Sequence, residues 1–351
     1  MMILVNIREA TAEDNEQLIQ LQRKCPMGSD LLLQLDSSPD FYNRSKGYED
    51  WNLLVAEENE QIVGSAGFAL QDKTISGSLY RGIYEYGFMV NPDYRRRGIA
   101  TLLQEEVERQ AWEKEADFLH LNITEDNVAS HGLFTHRGFK PIRQCSPLLF
   151  MAYKKHATDH YKIRPMKEGD IPVVVTLLNE YNRDRDFYTP LTTESFVEHF
   201  NRLPFYTFED IFIYEYDTVK AVAGYWDYNR VMRFTLQSYN TRWKIMAKVA
   251  DLIGKVTPMP KLPGIGEQMT NWYLTPFAYR DPEAAKQLLM HILNIAAQNQ
   301  VSMVSLPVDR ENHAYSTLDK LKPNKGSFTW YIKPLRDIPE IKQIYIDPLD
   351  V

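Results

Sequence analysis

The chain has 351 residues, of which 44% are hydrophobic and 25% charged, and its formal net charge is -7. This length exceeds the ~100–200 residues typical of one domain, so we expect two domains. The acidic balance argues against nucleic acid as a main partner, because binding to a phosphate backbone needs a broad basic face.

The cysteine count and the hydropathy pattern exclude further classes of protein. Cys25 and Cys145 are the only cysteines, too few for a disulfide framework or a cysteine zinc site, and no metal is expected. The N-terminal residues lack the basic and apolar regions of a signal peptide, and no stretch reaches the ~18 apolar residues of a membrane span. We therefore expect a cytoplasmic protein with no membrane partner.

The chain contains an internal repeat. Near the N-terminus a short strand pattern is followed by a helix start, with Arg8 on the strand and Asp14 at the helix start. Arg164 and Asp170 repeat this arrangement at the same spacing. Later landmarks recur in the same order, and these pairs are Gly64 with Gly224, Pro92 with Pro276, and Asn127 with Asn312. Four matching landmarks predict two copies of one fold.

A polar segment, Tyr153–Lys162, separates the copies and predicts a boundary between residues 1–155 and residues 160–351. The spacing between matched landmarks grows along the chain, which indicates an insertion of roughly two dozen residues before Tyr273. Within it, Trp243 to Ile253 has helical spacing. A helix packed on its own lobe is favoured there over a helix on a membrane surface, because only three basic residues accompany it.

The densest positive cluster of the chain lies in NPDYRRRGIATLL, Asn91–Leu103. The preceding GIYEYGFMV has strand character, and an amphipathic helix is predicted from Ile99 onward. A strand, a basic loop with Gly98 and a helix N-terminus form an anion site, since unpaired N–H groups and the helix dipole converge there. The absence of a Cβ at Gly98 lets a phosphate approach the backbone.

Arg95-x-x-Gly98-x-Ala100, followed by a segment with Asn127 and Gly138-Phe139, resembles the GNAT N-acetyltransferase superfamily. The resemblance implies an α/β fold with a mixed sheet flanked by helices, here in two tandem copies with a degenerate second lobe. It also implies acetyl-CoA as cosubstrate, held by the strand end, the basic loop, the helix start and one later asparagine. These positions are Phe88, Met89, Val90, Arg95, Arg96, Arg97, Gly98, Ile99, Ala100, Thr101 and Asn127.

The resemblance further implies acetyl transfer to a primary amine by direct attack in a ternary complex. Glu85 is the candidate for the base, but a frequent family position for the base falls on Tyr84, one residue earlier. Alternation along a strand then places Glu85 on the opposite face unless a β-bulge intervenes, and Tyr84 is a candidate to supply a hydroxyl to the acceptor pocket. The family's usual thiolate donor is a tyrosine where this chain has Phe134. His131 on the same predicted helix is the substitute candidate.

In the second copy Arg280 is retained, but the spacing places Glu283 at the position of Gly98, and Pro282 has entered the loop. A carboxylate and a proline there predict that cofactor binding is lost. The alternative to an enzyme is a non-catalytic protein that binds or senses acyl-CoA, or a scaffold. An amide-forming transferase with charged tRNA as donor fits the acidic chain least. The acceptor, a small-molecule or peptide amine, and a homodimer are left open.

Overall fold

The computed structural model describes residues 5–241 and 263–351. The strands of the first half are β1 Asn6–Glu9, β2 Leu31–Asp36, β3 Asp50–Glu58, β4 Gln61–Ile75, β5 Ser78–Val90, β6 Phe118–Thr124 and β7 Lys140–Met151. Its helices are α1 Asn15–Lys24, α2 Ile99–Glu113 and α3 Val128–His136.

The strands of the second half are β8 Ile163–Pro165, β9 Ile211–Tyr216, β10 Thr218–Asp227, β11 Arg233–Tyr239, β12 Gln268–Met269, β13 Asn271–Tyr279, β14 Met303–Asp309, β15 Asn324–Lys325 and β16 Phe328–Pro334. Its helices are α4 Ile171–Asn182, α5 Thr193–Arg202, α6 Pro282–Gln298 and α7 His313–Leu318. The helix predicted from Trp243 to Ile253 lies outside the described residues.

Most described strands form one mixed sheet. Its 13 strands run in the order β1-β3-β4-β5-β6-β16-β7-β14-β13-β10-β9-β8, with β15 beside β7. A small separate sheet joins β12, β11 and β2. We call β1 and β3–β6 with α1–α3 the first lobe, and β8–β10, β13 and β14 with α4–α7 the second lobe.

The two lobes exchange their last strands. β7 follows the first lobe in sequence, yet it pairs antiparallel with β14 of the second lobe from Cys145 to Met151. β16 follows the second lobe, yet it pairs antiparallel with β6 of the first lobe from Phe328 to Pro334. β7 and β16 also pair with each other. The exchange makes the two lobes continuous through backbone hydrogen bonds.

One hydrophobic core crosses the junction between the lobes. Trp330 of β16 is 1% exposed and packs near Tyr84 of the first lobe, with ring centroids 6.1 Å apart. Phe118 of β6 stacks on Phe187 of the second lobe at 5.7 Å. Burying aromatic rings of this size dominates the stability of such a core.

The internal repeat has a structural counterpart in two identical ion pairs. Arg8 holds Asp14 in a two-pronged contact at 2.7 and 2.9 Å, and Arg164 holds Asp170 at 2.7 and 2.9 Å. In each lobe the pair joins the first strand to the first helix. The predicted mixed α/β fold in two copies is confirmed. No helix among the described residues is long and apolar enough to cross a membrane.

The strand exchange predicts that residues 1–155 do not fold alone. That fragment lacks β16, so β6 and β7 would each lose a neighbour and expose an apolar edge. We expect no cooperative thermal transition by circular dichroism, and recovery of a folded complex when residues 156–351 are co-expressed. A monomeric 1–155 fragment with a sharp unfolding transition would contradict this interpretation.

Candidate functional site

The centre of the candidate site is an opening between β5 and β6. The two strands pair in parallel only where Gly82–Tyr84 meets Phe118–His120, although β5 continues to Val90 and β6 to Thr124. The backbone of the second half of β5 is therefore not covered by β6. This V-shaped gap can admit an extended ligand that bonds to the backbone.

A β-bulge lies beside the opening. Ser65 of β4 is opposite Met89, whereas Gly67 is opposite Tyr86, so β5 has one more residue than β4 in this stretch. Gly87 in the bulge has φ 63°, a left-handed conformation that glycine adopts without strain. Such bulges re-aim backbone groups next to active sites.

The basic loop leads from the opening into α2. Gly98 is the N-cap residue of α2 with φ 81° and ψ 1°, and no side chain caps the helix there. A Cβ built on Gly98 would meet nothing within 4 Å. The first N–H groups of a helix have no partner within the helix, so an exposed and uncapped helix start faces this open space.

The three arginines of the loop differ in their contacts. Arg97 pairs with Glu58 at 2.5 Å and lies 5.1 Å above the ring of Tyr94, so its charge is already compensated. Arg95 donates from Nε to the Val90 carbonyl oxygen at 3.2 Å. Among the described residues, neither Arg95 nor Arg96 forms an ion pair with a carboxylate. These two side chains supply the positive charge of the loop.

The other predicted cofactor residues surround the same opening. Ile99 is 1% exposed in the core, so only its backbone is available, while Ala100 and Thr101 are half-buried. Asn127 caps α3 by accepting from the Ser130 N–H at 3.2 Å. Phe88 meets Phe134 edge-to-face, with centroids 5.2 Å apart. Asn127 follows β6, whereas the other predicted cofactor residues belong to β5, the basic loop and the start of α2.

Glu85 lies on the face of the sheet covered by α2. Its Oε1 accepts from Gln104 Nε2 at 3.0 Å, and the residue is 3% exposed. The bulge follows Glu85 in β5, so it does not bring this side chain to the face of Tyr84. Burial raises the pKa of Glu85 to about 8. The carboxyl is therefore protonated at neutral pH.

Two buried atoms beside this contact are unpaired. Glu85 Oε2 and Gln104 Oε1 both lack a hydrogen-bond partner among the described residues. Leaving Glu85 Oε2 without a donor costs less when the carboxyl is neutral than when it is ionised.

Tyr84 lies on the opposite face, under the C-terminal segment of the described chain. Its hydroxyl donates to the Asp350 carbonyl oxygen and accepts from Asn122 Nδ2 at 3.0 Å. Arg44 and Tyr48 both donate to the Leu349 carbonyl oxygen, at 2.9 and 2.8 Å. Burial raises the pKa of the Tyr84 phenol, so it stays neutral.

His131 is held by a residue that sequence reasoning missed. Its Nδ1 lies 2.8 Å from the Tyr331 hydroxyl and its Nε2 lies 3.2 Å from the Thr124 carbonyl oxygen. A carbonyl only accepts, so we assign the ring proton to Nε2, and Nδ1 then accepts from Tyr331. Tyr331 comes from the exchanged strand β16 and packs in the same cluster as Phe134.

The corresponding helix start in the second lobe is chemically different. Asp281 is the N-cap residue of α6 and accepts from the Glu283 N–H at 2.9 Å, and Pro282 removes one N–H group. Arg280 is paired with Glu180. The structural counterpart of Gly98 is therefore Asp281 and not Glu283, two residues later. A carboxylate occupies the place that an anionic ligand would take.

The described residues contain no group of three or more His, Cys, Asp and Glu side chains arranged to hold a metal ion.

Comparison with known proteins matches the same part of the chain. The family model described as Acetyltransferase (GNAT) family matches residues 15–139. An acetyltransferase of Pectobacterium atrosepticum is 30% identical over 138 residues, which cover 39% of this chain and 89% of that protein. An acetyltransferase of Yersinia pestis is 29% identical over 130 residues, covering 37% of this chain and 84% of that protein.

Among solved structures, Saccharomyces cerevisiae N-myristoyltransferase with bound myristoyl-CoA is similar over the whole chain. The TM-score is 0.63 at 12% identity, with 98% of this chain and 88% of the other covered. The likeness shows that both lobes together share one fold with that protein. Through its first lobe, with the V-shaped gap and the basic loop before α2, the chain belongs to the GNAT acetyltransferase family, whose members transfer an acyl group from CoA to an amine.

Proposed function

We propose that the first lobe transfers the acetyl group of acetyl-CoA to a primary amine by direct attack in a ternary complex. The observation that carries this proposal is the contrast between the two helix starts. The start of α2 is exposed, uncapped and flanked by the unpaired cations Arg95 and Arg96. The start of α6 is capped by Asp281. A diphosphate is favoured at the first and repelled at the second.

The remaining parts of the first lobe fit the same reaction. The gap between β5 and β6 suits an extended pantetheine arm, and backbone N–H groups near Met89 and Val90 are the proposed donors to the oxyanion. Holding thioester and amine together at this gap supplies much of the rate through positioning. Asn127 at the start of α3 is the proposed contact on the opposite side of the gap.

The proton for the departing thiolate needs a donor, and Phe134 offers none. We propose that the Tyr331 hydroxyl, which donates to His131 Nδ1 in the free protein, turns its proton to the sulfur when acetyl-CoA is bound, with His131 as a positioning residue. Tyr331 belongs to the cluster that contains Phe134, and a phenol is the same chemical group that the family places on α3. The exchanged strand thus supplies a hydroxyl that the helix lacks.

Neither Glu85 nor Tyr84 fits the role of a base at neutral pH in its observed setting. Glu85 is neutral and turned toward α2, and Tyr84 is neutral and bonded to the Asp350 carbonyl oxygen. We propose that Glu85 is a neutral side chain that packs between α2 and the sheet. The amine then loses its proton to water in the V-shaped gap. The acceptor amine, small molecule or peptide, would enter from the face of Tyr84 and Asn122.

The Gly98→Glu variant tests the diphosphate seat. A carboxylate at the mouth of α2 should weaken acetyl-CoA binding by at least about tenfold, or about 1.4 kcal/mol, as measured by isothermal titration calorimetry. Gly77→Glu is the matched control, because Gly77 has the same φ of 81° and the same open surroundings in the β4–β5 turn. Equal affinity in both variants would argue against the proposed seat.

An assay for free CoA thiol distinguishes an acetyltransferase from a non-catalytic acyl-CoA sensor. Acetyl-CoA and the protein are mixed with a panel of small-molecule and peptide amines, and thiol release is measured. We expect amine-dependent thiol release by the unmodified protein. The missing hydroxyl at Phe134 and the neutral Glu85 are the observations that favour a non-catalytic acyl-CoA sensor. Tight binding without turnover on every amine would support that second function.

The Tyr331→Phe variant tests the thiolate donor. Removing the hydroxyl should lower kcat by about 100-fold, with little change in the KM for acetyl-CoA, because general acid catalysis acts in the transition state. Adding Phe134→Tyr to this variant should restore part of kcat, since it returns a phenol to α3. Unchanged kcat in Tyr331→Phe would assign the donor elsewhere.

The Glu85→Gln variant tests the protonation state of Glu85. The unfolded carboxyl titrates near its ordinary value of 4.5 and the folded one near about 8, so the folded state binds more protons between these values. The free energy of unfolding should therefore fall as pH rises from 4.5 to 8. Glutamine keeps the hydrogen bond from Gln104 and removes this dependence, which should make the variant more stable at pH 8 by on the order of 4 kcal/mol.

Thermal unfolding at pH 5 and pH 8 measures this effect, with Glu105→Gln on the solvent side of α2 as the control that should leave the dependence unchanged. We expect kcat of Glu85→Gln within about tenfold of the unmodified protein. A loss of kcat above about 100-fold at unchanged acetyl-CoA affinity would instead identify Glu85 as the base.

A further inference from the structure

The second lobe contains a cavity of about 30 Å³ that opens to solvent. β13 and β14 pair in parallel only from Asn271 to Tyr273 with Met303 to Ser305 and then separate, as β5 and β6 do in the first lobe. The cavity lies at this separation, beneath the C-terminal segment. Its lining includes Arg185, Tyr181, Asn182, Asn312, Tyr345 and Ile346.

Arg185 is a buried cation without a carboxylate partner. It is 6% exposed, and its guanidinium carbon lies 4.3 Å from the centroid of the Tyr181 ring. It donates to the side-chain oxygen of Asn182 and, at 3.2 Å, to that of Asn312. Among the described residues no carboxylate lies within 4.0 Å of it. Two amide contacts leave three of its five N–H donors for another group.

None of the described residues that line the cavity supplies a negative charge. The lining residues include no aspartate or glutamate. Burial raises the pKa of Tyr181, although Arg185 partly opposes this, and burial also raises the pKa of Tyr345 well above its usual range. Both phenols are therefore neutral. A buried charge left without a counter-charge is strongly unfavourable.

Asn312 adds a second donor to the lining. Its side-chain oxygen already accepts from Tyr181 at 3.1 Å, from Arg185 at 3.2 Å and from the Ala314 N–H at 2.8 Å. Among the described residues its NH₂ group forms no hydrogen bond. The cavity thus offers a cation and an amide donor.

We propose that this cavity binds a small carboxylate, with Arg185 as its counter-ion and Asn312 as an additional donor. The planar guanidinium matches a carboxylate in a two-pronged contact better than it matches a spherical anion. A volume of about 30 Å³ has room for about two waters, which is close to the size of a carboxylate group. This site is separate from the proposed acetyl-CoA site, and its existence does not depend on catalysis in the first lobe.

Sodium acetate is the probe, titrated into the full chain by isothermal titration calorimetry and by thermal unfolding, with sodium chloride at equal ionic strength as the reference. We expect one saturable site per chain and a rise in Tm of roughly 2–5 °C at saturation. No saturable response to acetate would overturn the site. An equal response to chloride would overturn the carboxylate assignment.

Two variants test whether Arg185 is responsible for the response to acetate. Arg185→Met should abolish it and should be at least as stable as the unmodified protein without acetate, because the removed charge had no counter-charge. Arg185→Lys keeps the charge without the planar fork and should weaken acetate binding at least tenfold. Arg183→Met, two residues away and 74% exposed at its side chain, is the control that keeps the full response. A full response in both Arg185 variants would overturn the role of Arg185.

Discussion

The backbone pairing of β16 with β6 and β7 is the constraint on which the rest of the structure depends. It carries a strand from the end of the chain into the first lobe and joins two sheets into one. Because β16 replaces β7 beside β6, Tyr331 and Trp330 reach the first lobe from the second half of the sequence. The C-terminal segment after β16 then crosses the face that contains Tyr84 and Asn122. Neither lobe has a complete sheet or a complete candidate site without the other.

Charge at two helix starts gives the lobes different chemistry. Both lobes have parallel central strands that separate, and both place a helix directly after the separating strand. The first lobe leaves that helix start open beside Arg95 and Arg96, whereas the second closes it with Asp281. The second lobe instead places a cation, Arg185, within its own gap. One fold can therefore favour a large anionic nucleotide in one copy and exclude it from the other.

The local elements of the first lobe could be predicted from the sequence. The strand before Asn91, the positive loop and the apolar stripe of α2 are short-range patterns, and the structure has each of them. The repeat of Arg8 and Asp14 as Arg164 and Asp170 was visible as well, because an ion pair between a first strand and a first helix leaves its residues at fixed spacing. The alternation of β5 also correctly placed Glu85 on the face opposite Tyr84.

The long-range features could not be predicted in this way. Nothing in the alternation of FTWYIKP tells which edge it joins, so the strand exchange and the contact of Tyr331 with His131 were missed. The burial that keeps Glu85 protonated comes from the packing of α2 over β5, which brings Gln104 into contact with Glu85 from 19 residues away. The spacing from the loop arginine predicts Glu283 as the counterpart of Gly98, which is wrong. The helix N-cap is defined by backbone geometry, and by that criterion the counterpart is Asp281.

The most direct test of the central claim is a crystal structure of the full chain with acetyl-CoA. We expect one cofactor per chain, with its diphosphate against the α2 start near Gly98, its pantetheine arm along the second half of β5, and its sulfur beside Tyr331. A diphosphate at the α6 start near Asp281, or a second cofactor in the second lobe, would contradict it.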